Sequence, residues 1–302
     1  MVLEEHLIAN MTVDSTSETQ NDAVGEPCPT PLSTSAVLDD FRAKAEPFSI
    51  SNGKREWTGR IWGSGPSLYL LGGFVGTTEQ FAFLTYLLKD DFRCVMIEHP
   101  DKLPSPTAWA SDLAKVADEL GDETWTVYAS SFGSLPTWQL LTSYPDRVRG
   151  AIVQGGFARW RLSVTERILS LAASVWPGRL ATLPGREAIT KQNHQSWFPP
   201  FDRVRWPFYL ENSGQTPVRC LSRRSRWAHR HDFRSVLPQI KQPVLLIRTE
   251  GDGGVLTTHQ ANVLADLPNA RSEVLNTSGQ VPHITHPHRV AKLISNFEDP
   301  QA

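Results

Sequence analysis

The chain has 302 residues, 40% of them hydrophobic, and a formal charge of −2. That length suits one large α/β domain with an insertion or two small domains, and the near-neutral balance gives no case for nucleic acid as the main partner. Cys28, Cys94 and Cys220 stand far apart without CxxC spacing, so neither a disulfide framework nor a zinc site is indicated and a reducing compartment is favoured. The start, Met1-Val2-Leu3-Glu4-Glu5-His6, lacks the basic and then apolar pattern of a signal peptide, which makes the sequons at Asn10 and Asn276 coincidental. No run approaches the roughly 20 apolar residues that cross a bilayer. The expectation is a cytoplasmic protein without an integral membrane segment.

Residues 1–36 are rich in Ser, Thr, Pro and acids and hold no Lys or Arg, which predicts a disordered acidic tail. A short helix is expected from Ala36 to Ala45. Two strands follow, Pro47 to Ser51 and Glu56 to Trp62, around the turn dipeptide Asn52-Gly53. The apolar strand Ser67 to Leu71 runs into Gly72-Gly73-Phe74. A helix over 78–89 shows Phe81, Leu84 and Leu88 on one face. Next come strand Arg93 to Ile97, a proline-rich loop, and helix Trp109 to Leu120. Strand Gly150 to Gln154 closes the first half. This alternation predicts a mostly parallel sheet covered on both sides. It stops over 157–242, an insertion with a helix from Arg161 to Trp176. It resumes with strand Pro243 to Arg248, helix Thr257 to Leu267, strand Ala270 to Leu275 and helix Pro287 to Phe297.

Between the helix ending at Leu120 and the strand at Gly150 lies Trp125-Thr126-Val127-Tyr128-Ala129-Ser130-Ser131-Phe132-Gly133-Ser134-Leu135. An apolar strand enters small-x-Ser-x-Gly and leaves as a helix. Such a turn lifts one hydroxyl, that of Ser131, clear of the sheet and aims helical N–H groups at whatever it attacks.

Taken together, these elements resemble the α/β-hydrolase fold over roughly Pro47 to Phe297. The resemblance implies a core of 47–156 and 243–298 with a helical lid over 157–242, inserted after the sixth strand. It implies Ser131 as nucleophile. The N–H groups of Phe74, after the third strand, and of Phe132, behind the elbow serine, would form an oxyanion hole. In Thr249-Glu250-Gly251-Asp252 it implies Asp252 as the acid that orients a histidine, with Glu250 as the alternative. The loop Asn276-Thr277-Ser278-Gly279-Gln280-Val281-Pro282-His283 stands where Gly-His-x-Pro is expected, and the histidine position is Gln280. A glutamine amide does not titrate near neutral pH and cannot relay a proton.

His283, three residues on, is the nearest replacement base, although that offset displaces a side chain by several Å. The other reading of His283 is a histidine packed at the foot of the last helix. His99 opens toward the same mouth. His283, His286 and His288 carry no interleaved carboxylate or thiol, so no metal is indicated, and no cofactor is expected. Two functions follow. One is a serine hydrolase acting on an ester or other acyl substrate through Ser131, Asp252 and His283. The other is a non-catalytic binding or scaffold module that takes a small apolar or acyl ligand or a protein partner. Maspardin-like proteins, which this chain also resembles through Gly76-Thr77, the elbow, and Pro268-Asn269-Ala270-Arg271 with Gly279 and Pro282, lack the final-loop histidine as well. The insertion holds Trp160, Trp176, Trp197, Trp206 and Trp227, either an aromatic wall over the site or its own small core. Arg219, Arg223, Arg224, Arg226, Arg230 and Arg234 form a solvated face or a seat for the acidic tail to gate the pocket.

Overall fold

The structure, a computed structural model, describes residues 33–53 and 55–298. The proposed tail lies outside it apart from its last residues, which are helical. Helix α1 (Thr34–Lys44) starts two residues before the expected one because Ser33 caps it, its hydroxyl accepting the Ala36 N–H.

Eight strands form one sheet in the order β1-β2-β4-β3-β5-β6-β7-β8. β1 (Glu46–Asn52) and β2 (Arg55–Trp62) make an antiparallel hairpin, and β2 runs antiparallel to β4 (Arg93–Ile97). From β4 onward every pairing is parallel, through β3 (Ser67–Leu71), β5 (Trp125–Ser130), β6 (Val148–Gln154), β7 (Val244–Thr249) and β8 (Ala270–Leu275).

Strand periodicity sorts the core into two layers. Tyr69 and Leu71 of β3, Val95 and Ile97 of β4, and Trp125, Val127 and Ala129 of β5 meet Trp109, Leu113 and Val116 of α3 (Pro106–Glu119) and Trp138 and Leu141 of α4 (Ser134–Ser143). On the other face, Leu68, Leu70, Met96 and Tyr128 meet Phe41 of α1, Leu84 and Leu88 of α2 (Ala82–Leu88), and Ile294 of α11 (Pro287–Glu298). β3 and β5 are buried along their whole length, as strands covered on both sides must be.

Between β6 and β7 lie α5 (Val164–Ala173), α6 (Arg186–His194), α7 (Arg205–Gly214) and α8 (Val218–Arg230). After β7 comes α9 (Gly253–Asp266), and after β8 the single turn α10 (Pro282–Thr285). Three of these elements depart from the sequence reading. α3 starts at Pro106, where proline opens a helix capped by Ser105, inside the stretch expected to be loop. α9 starts on the Gly253-Gly254 pair, four residues before the expected Thr257. α10 was not foreseen, and it carries His283.

Candidate active site

At the carboxyl end of β5 the chain turns at Ser131 with φ of 48°, the left-handed region that costs a side chain about 1–3 kcal/mol. A 3-10 turn over Ser131–Gly133 leads directly into α4. The bend requires Gly133: a Cβ there would stand 2.7 Å from the Leu71 carbonyl oxygen and 3.0 Å from that of Gly72. Hydrogen bonds brace it from behind. Ser134 Oγ donates to the Ser131 carbonyl at 2.7 Å and accepts the Phe157 N–H at 3.2 Å. Ser130 Oγ donates to Gln154 Oε1 at 2.9 Å, and Gln154 Nε2 donates to the Gln280 carbonyl at 3.0 Å.

The loop after β3 runs alongside. A Cβ on Gly73 would lie 4.0 Å from Ser131 Oγ, and the Phe74 ring sits 5.2 Å from that of Phe132 and stacks over Phe157. Side chains distant in sequence hold this loop. His99 Nε2 donates to the Gly72 carbonyl at 2.8 Å, which makes Nε2 the protonated nitrogen, because a carbonyl only accepts. Burial drives the His99 pKa down to about 3, so the imidazole is a neutral brace beneath the loop, packed edge-on against Phe132. Arg224 Nη1 donates to the Phe74 carbonyl at 2.8 Å, Thr216 Oγ1 accepts the Gly76 N–H at 2.8 Å, and Asn212 clasps Thr77 through both ends of its amide. The insert between β6 and β7 therefore sets the backbone beside Ser131. Burial pulls the Arg224 pKa down, with Glu98 opposing.

On the other side, Asp252 is 2% exposed and serves its own turn. It accepts the Thr249 N–H and hydroxyl, both at 2.7 Å, as the third residue of a capping box, and Gln260 Nε2 at 2.9 Å. Burial raises its pKa, and those three donors oppose the shift. Glu250 lies exposed, accepting the Thr277 N–H. The loops after β7 and β8 are locked together. Gly251 N–H donates to the Ser278 carbonyl at 3.0 Å, and Trp197 presses on both glycines, so a Cβ on Gly279 would stand 2.5 Å from its ring.

His283, on α10, is 1% exposed, and neither ring nitrogen has a hydrogen-bond partner among the described residues. Its ring packs 5.3 Å from Phe81 and 6.3 Å from Tyr128, and burial lowers its pKa to about 3. No hydrogen bond joins it to Asp252. His286 Nδ1 pairs with Thr285 Oγ1 at 2.9 Å.

The strand order and the elbow have a counterpart in known proteins. Residues 66–287 match the model of the alpha/beta hydrolase fold family. The chain belongs to the α/β-hydrolase fold family. A curated relative, a putative 2-succinyl-6-hydroxy-2,4-cyclohexadiene-1-carboxylate synthase of Bacillus subtilis, is 25% identical over 253 residues, 75% of this chain and 88% of its own. Similar solved structures include a hydrolase from Pseudomonas aeruginosa, with a TM-score of 0.70 and 15% identity over 84% of this chain and 98% of that one. A thermophilic esterase from Thermogutta terrifontis has a TM-score of 0.69 and 18% identity over 85% and 99%. At such identities the structures speak for the fold alone.

In this α/β-hydrolase-fold chain, Ser131, Phe74, Asp252, Gln280 and His283 all line one cavity of about 170 Å³ at the carboxyl ends of the strands. Phe132 packs behind it. Of the five insert tryptophans only Trp160 lines it: Trp227 backs Phe132, Trp197 wedges the two glycine loops and Trp176 faces outward. Among the described residues no Lys or Arg lines the cavity. The arginine-rich stretch has partners elsewhere, with Arg219 and Arg223 on Asp101 and Arg234 on Asp232. Sequence reasoning missed Gln154 and Gln260, isolated polar residues whose partners lie in other elements. It set Arg224 on a solvated face or a seat for the tail, whereas that side chain is buried against the Phe74 carbonyl.

Proposed function

We propose that this hydrolase-fold chain binds a small uncharged carbonyl compound with an apolar arm and does not turn it over efficiently. The observation that carries this reading is the use of the Asp252 carboxylate by Thr249 and Gln260, with Gln280 at the position expected of an imidazole. A serine hydrolase needs a base that takes the Ser131 proton and returns it to the leaving group, and loss of that base costs on the order of 10⁶ in turnover. The binding half persists. Gln80 and Gln280 offer amide groups, Phe74, Phe157 and Trp160 offer apolar wall, and His194 and His283 are held neutral by burial, with pKa near 4 and near 3. Such a lining suits a neutral ester, amide or ketone better than a carboxylate anion. This is the maspardin-like alternative with its ligand class specified.

A second reading, a slow esterase in which His283 is the base, is favoured by one observation: His283 lines the same cavity as Ser131 with both ring nitrogens unpartnered. A fluorophosphonate probe and short aryl esters, applied to the unsubstituted chain and to Ser131→Ala, His283→Ala and Gln280→His, separate the two. Turnover lost in both alanine variants supports the esterase. Turnover that appears only with Gln280→His, beside tight binding of a neutral ketone by the unsubstituted chain, supports the binding protein.

A further inference from the structure

Helix α5 is built inside out. Two of its polar side chains, Glu166 and Ser170, face the protein. Glu166, 5% exposed, closes a capping box with Ser163, and the fully buried Ser170 meets the hydroxyl and carbonyl of Ser222 on α8, each at 3.2 Å. Those bonds fix the roll of the helix. Its apolar side chains face outward: Val164, Ile168 and Leu171 are 69%, 65% and 59% exposed. The coil continues past Ser174 through backbone bonds from Val175 to Ala172 and from Trp176 to Ala173, which adds Val175 at 82% and Trp176 at 49%.

The spacing from 164 to 168 to 171 to 175 is four, three, four, the stripe of a two-helix seam. We propose that this stripe is a homodimer interface, in which α5 pairs antiparallel with α5 of a second copy across a two-fold axis near residues 169 and 170. The pattern is self-complementary, as an isologous contact must be. Val164 faces the partner's Val175, and Ile168 faces the partner's Leu171. The flanking positions Thr165, Ala172 and Ser174 are small enough for close approach. Arg167, the one charged flanking residue, falls opposite the partner's Ala172 rather than another cation.

The five exposed side chains offer roughly 500 Å² per protomer and about 1,000 Å² per pair, the size at which specific interfaces begin. That is also the upper end of what a monomer leaves bare in one patch. Other occupants fit less well. A helix lying on a lipid surface presents a cation-rich polar face, whereas the polar face of α5 is buried against α8. The acidic residues 1–32 would need cations along the stripe, and Arg167 is the only one within it.

Sedimentation velocity on the full chain across a wide micromolar range tests this. A concentration-dependent dimer is expected. The double variant Ile168→Asp with Leu171→Asp should weaken it by at least 100-fold, while at concentrations where both forms are monomeric the thermal midpoint stays unchanged, since neither side chain is buried within the protomer. Geometry is tested with Val164→Cys plus Val175→Cys. The two positions are about 16 Å apart along one helix, beyond the reach of an internal disulfide. Mild oxidation should therefore yield a covalent dimer that the parent chain does not form. A chain monomeric at every concentration, whether anionic vesicles or its own N-terminal stretch cover the stripe, overturns the proposal. So does a dimer that survives the double aspartate substitution.

Discussion

On the β3–β5 side of the cavity, backbone strain at Ser131 is tolerated, Gly133 is required by two carbonyl oxygens, and Arg224, Asn212 and Thr216 reach across from the insert to hold the neighbouring loop. On the β7–β8 side the polar groups serve the loops themselves. Asp252 closes its own turn and takes Gln260, while Trp197 packs two glycines together. One side is arranged around a group that could sit in the cavity. The other has the economy of an ordinary loop core. Left-handed backbone occurs on both sides, at Ser131 and at Thr277 with φ of 59°, so the contrast lies in what the polar groups hold: the loop facing Ser131 on one side, their own turns on the other.

Paired substitutions sharpen that contrast, beginning with the largest effect. Gly133→Ala forces a Cβ against backbone oxygens and should cost about 2–3 kcal/mol in urea unfolding. Gly254→Ala, with open space around its Cβ and a helical position, should be neutral or stabilising by about 0.5–1 kcal/mol. Equal losses at both would erase the distinction between the sides.

His283 tests whether the β8 side holds a sealed imidazole. Its folded pKa, near 3, lies below the unfolded value, so the unfolded chain binds the proton first as pH falls. The contribution is fully present above about pH 6.5 and is lost as pH falls toward 3. His283→Leu should flatten that acid limb of the stability curve. An unchanged slope would mean the imidazole ionises in the folded protein.

Gln280→His supplies an imidazole to an elbow already in place and should raise Ser131-dependent aryl ester turnover on the order of 10²-fold. It should stop short of a full triad, because Gln260 still holds Asp252. No gain at all would place the defect on the Ser131 side. Smallest is Arg224→Met, which frees the Phe74 carbonyl. It should cost about 1–2 kcal/mol of stability and, in calorimetric titration with a neutral ketone, lower affinity while leaving stoichiometry at one.

What the sequence disclosed follows the same division. Strand, serine, glycine and helix are contiguous from Trp125 to Ser143, so the elbow is legible from local pattern, as is the vacancy at Gln280. His283 was legible only as two open readings, base or packed side chain, because the single turn α10 that buries it depends on distant packing against α2. Nor could the sequence pair Arg224 with Phe74, 150 positions away, or Asn212 with Thr77. A lone polar residue on an amphipathic helix looks the same whether it meets water or a distant carbonyl. Gln260 illustrates the same limit at short range. Its amide reaches Asp252 from a helix that begins at Gly253, four residues before the start expected from local pattern.

The account stands most directly on steady-state hydrolysis of a short aryl ester by the unsubstituted chain and by Ser131→Ala, at matched concentration and with folding verified. It predicts rates within about tenfold of each other, as expected when no base serves the serine. An unsubstituted chain faster by a factor of about 10³ or more, with the excess abolished by His283→Ala, would contradict it.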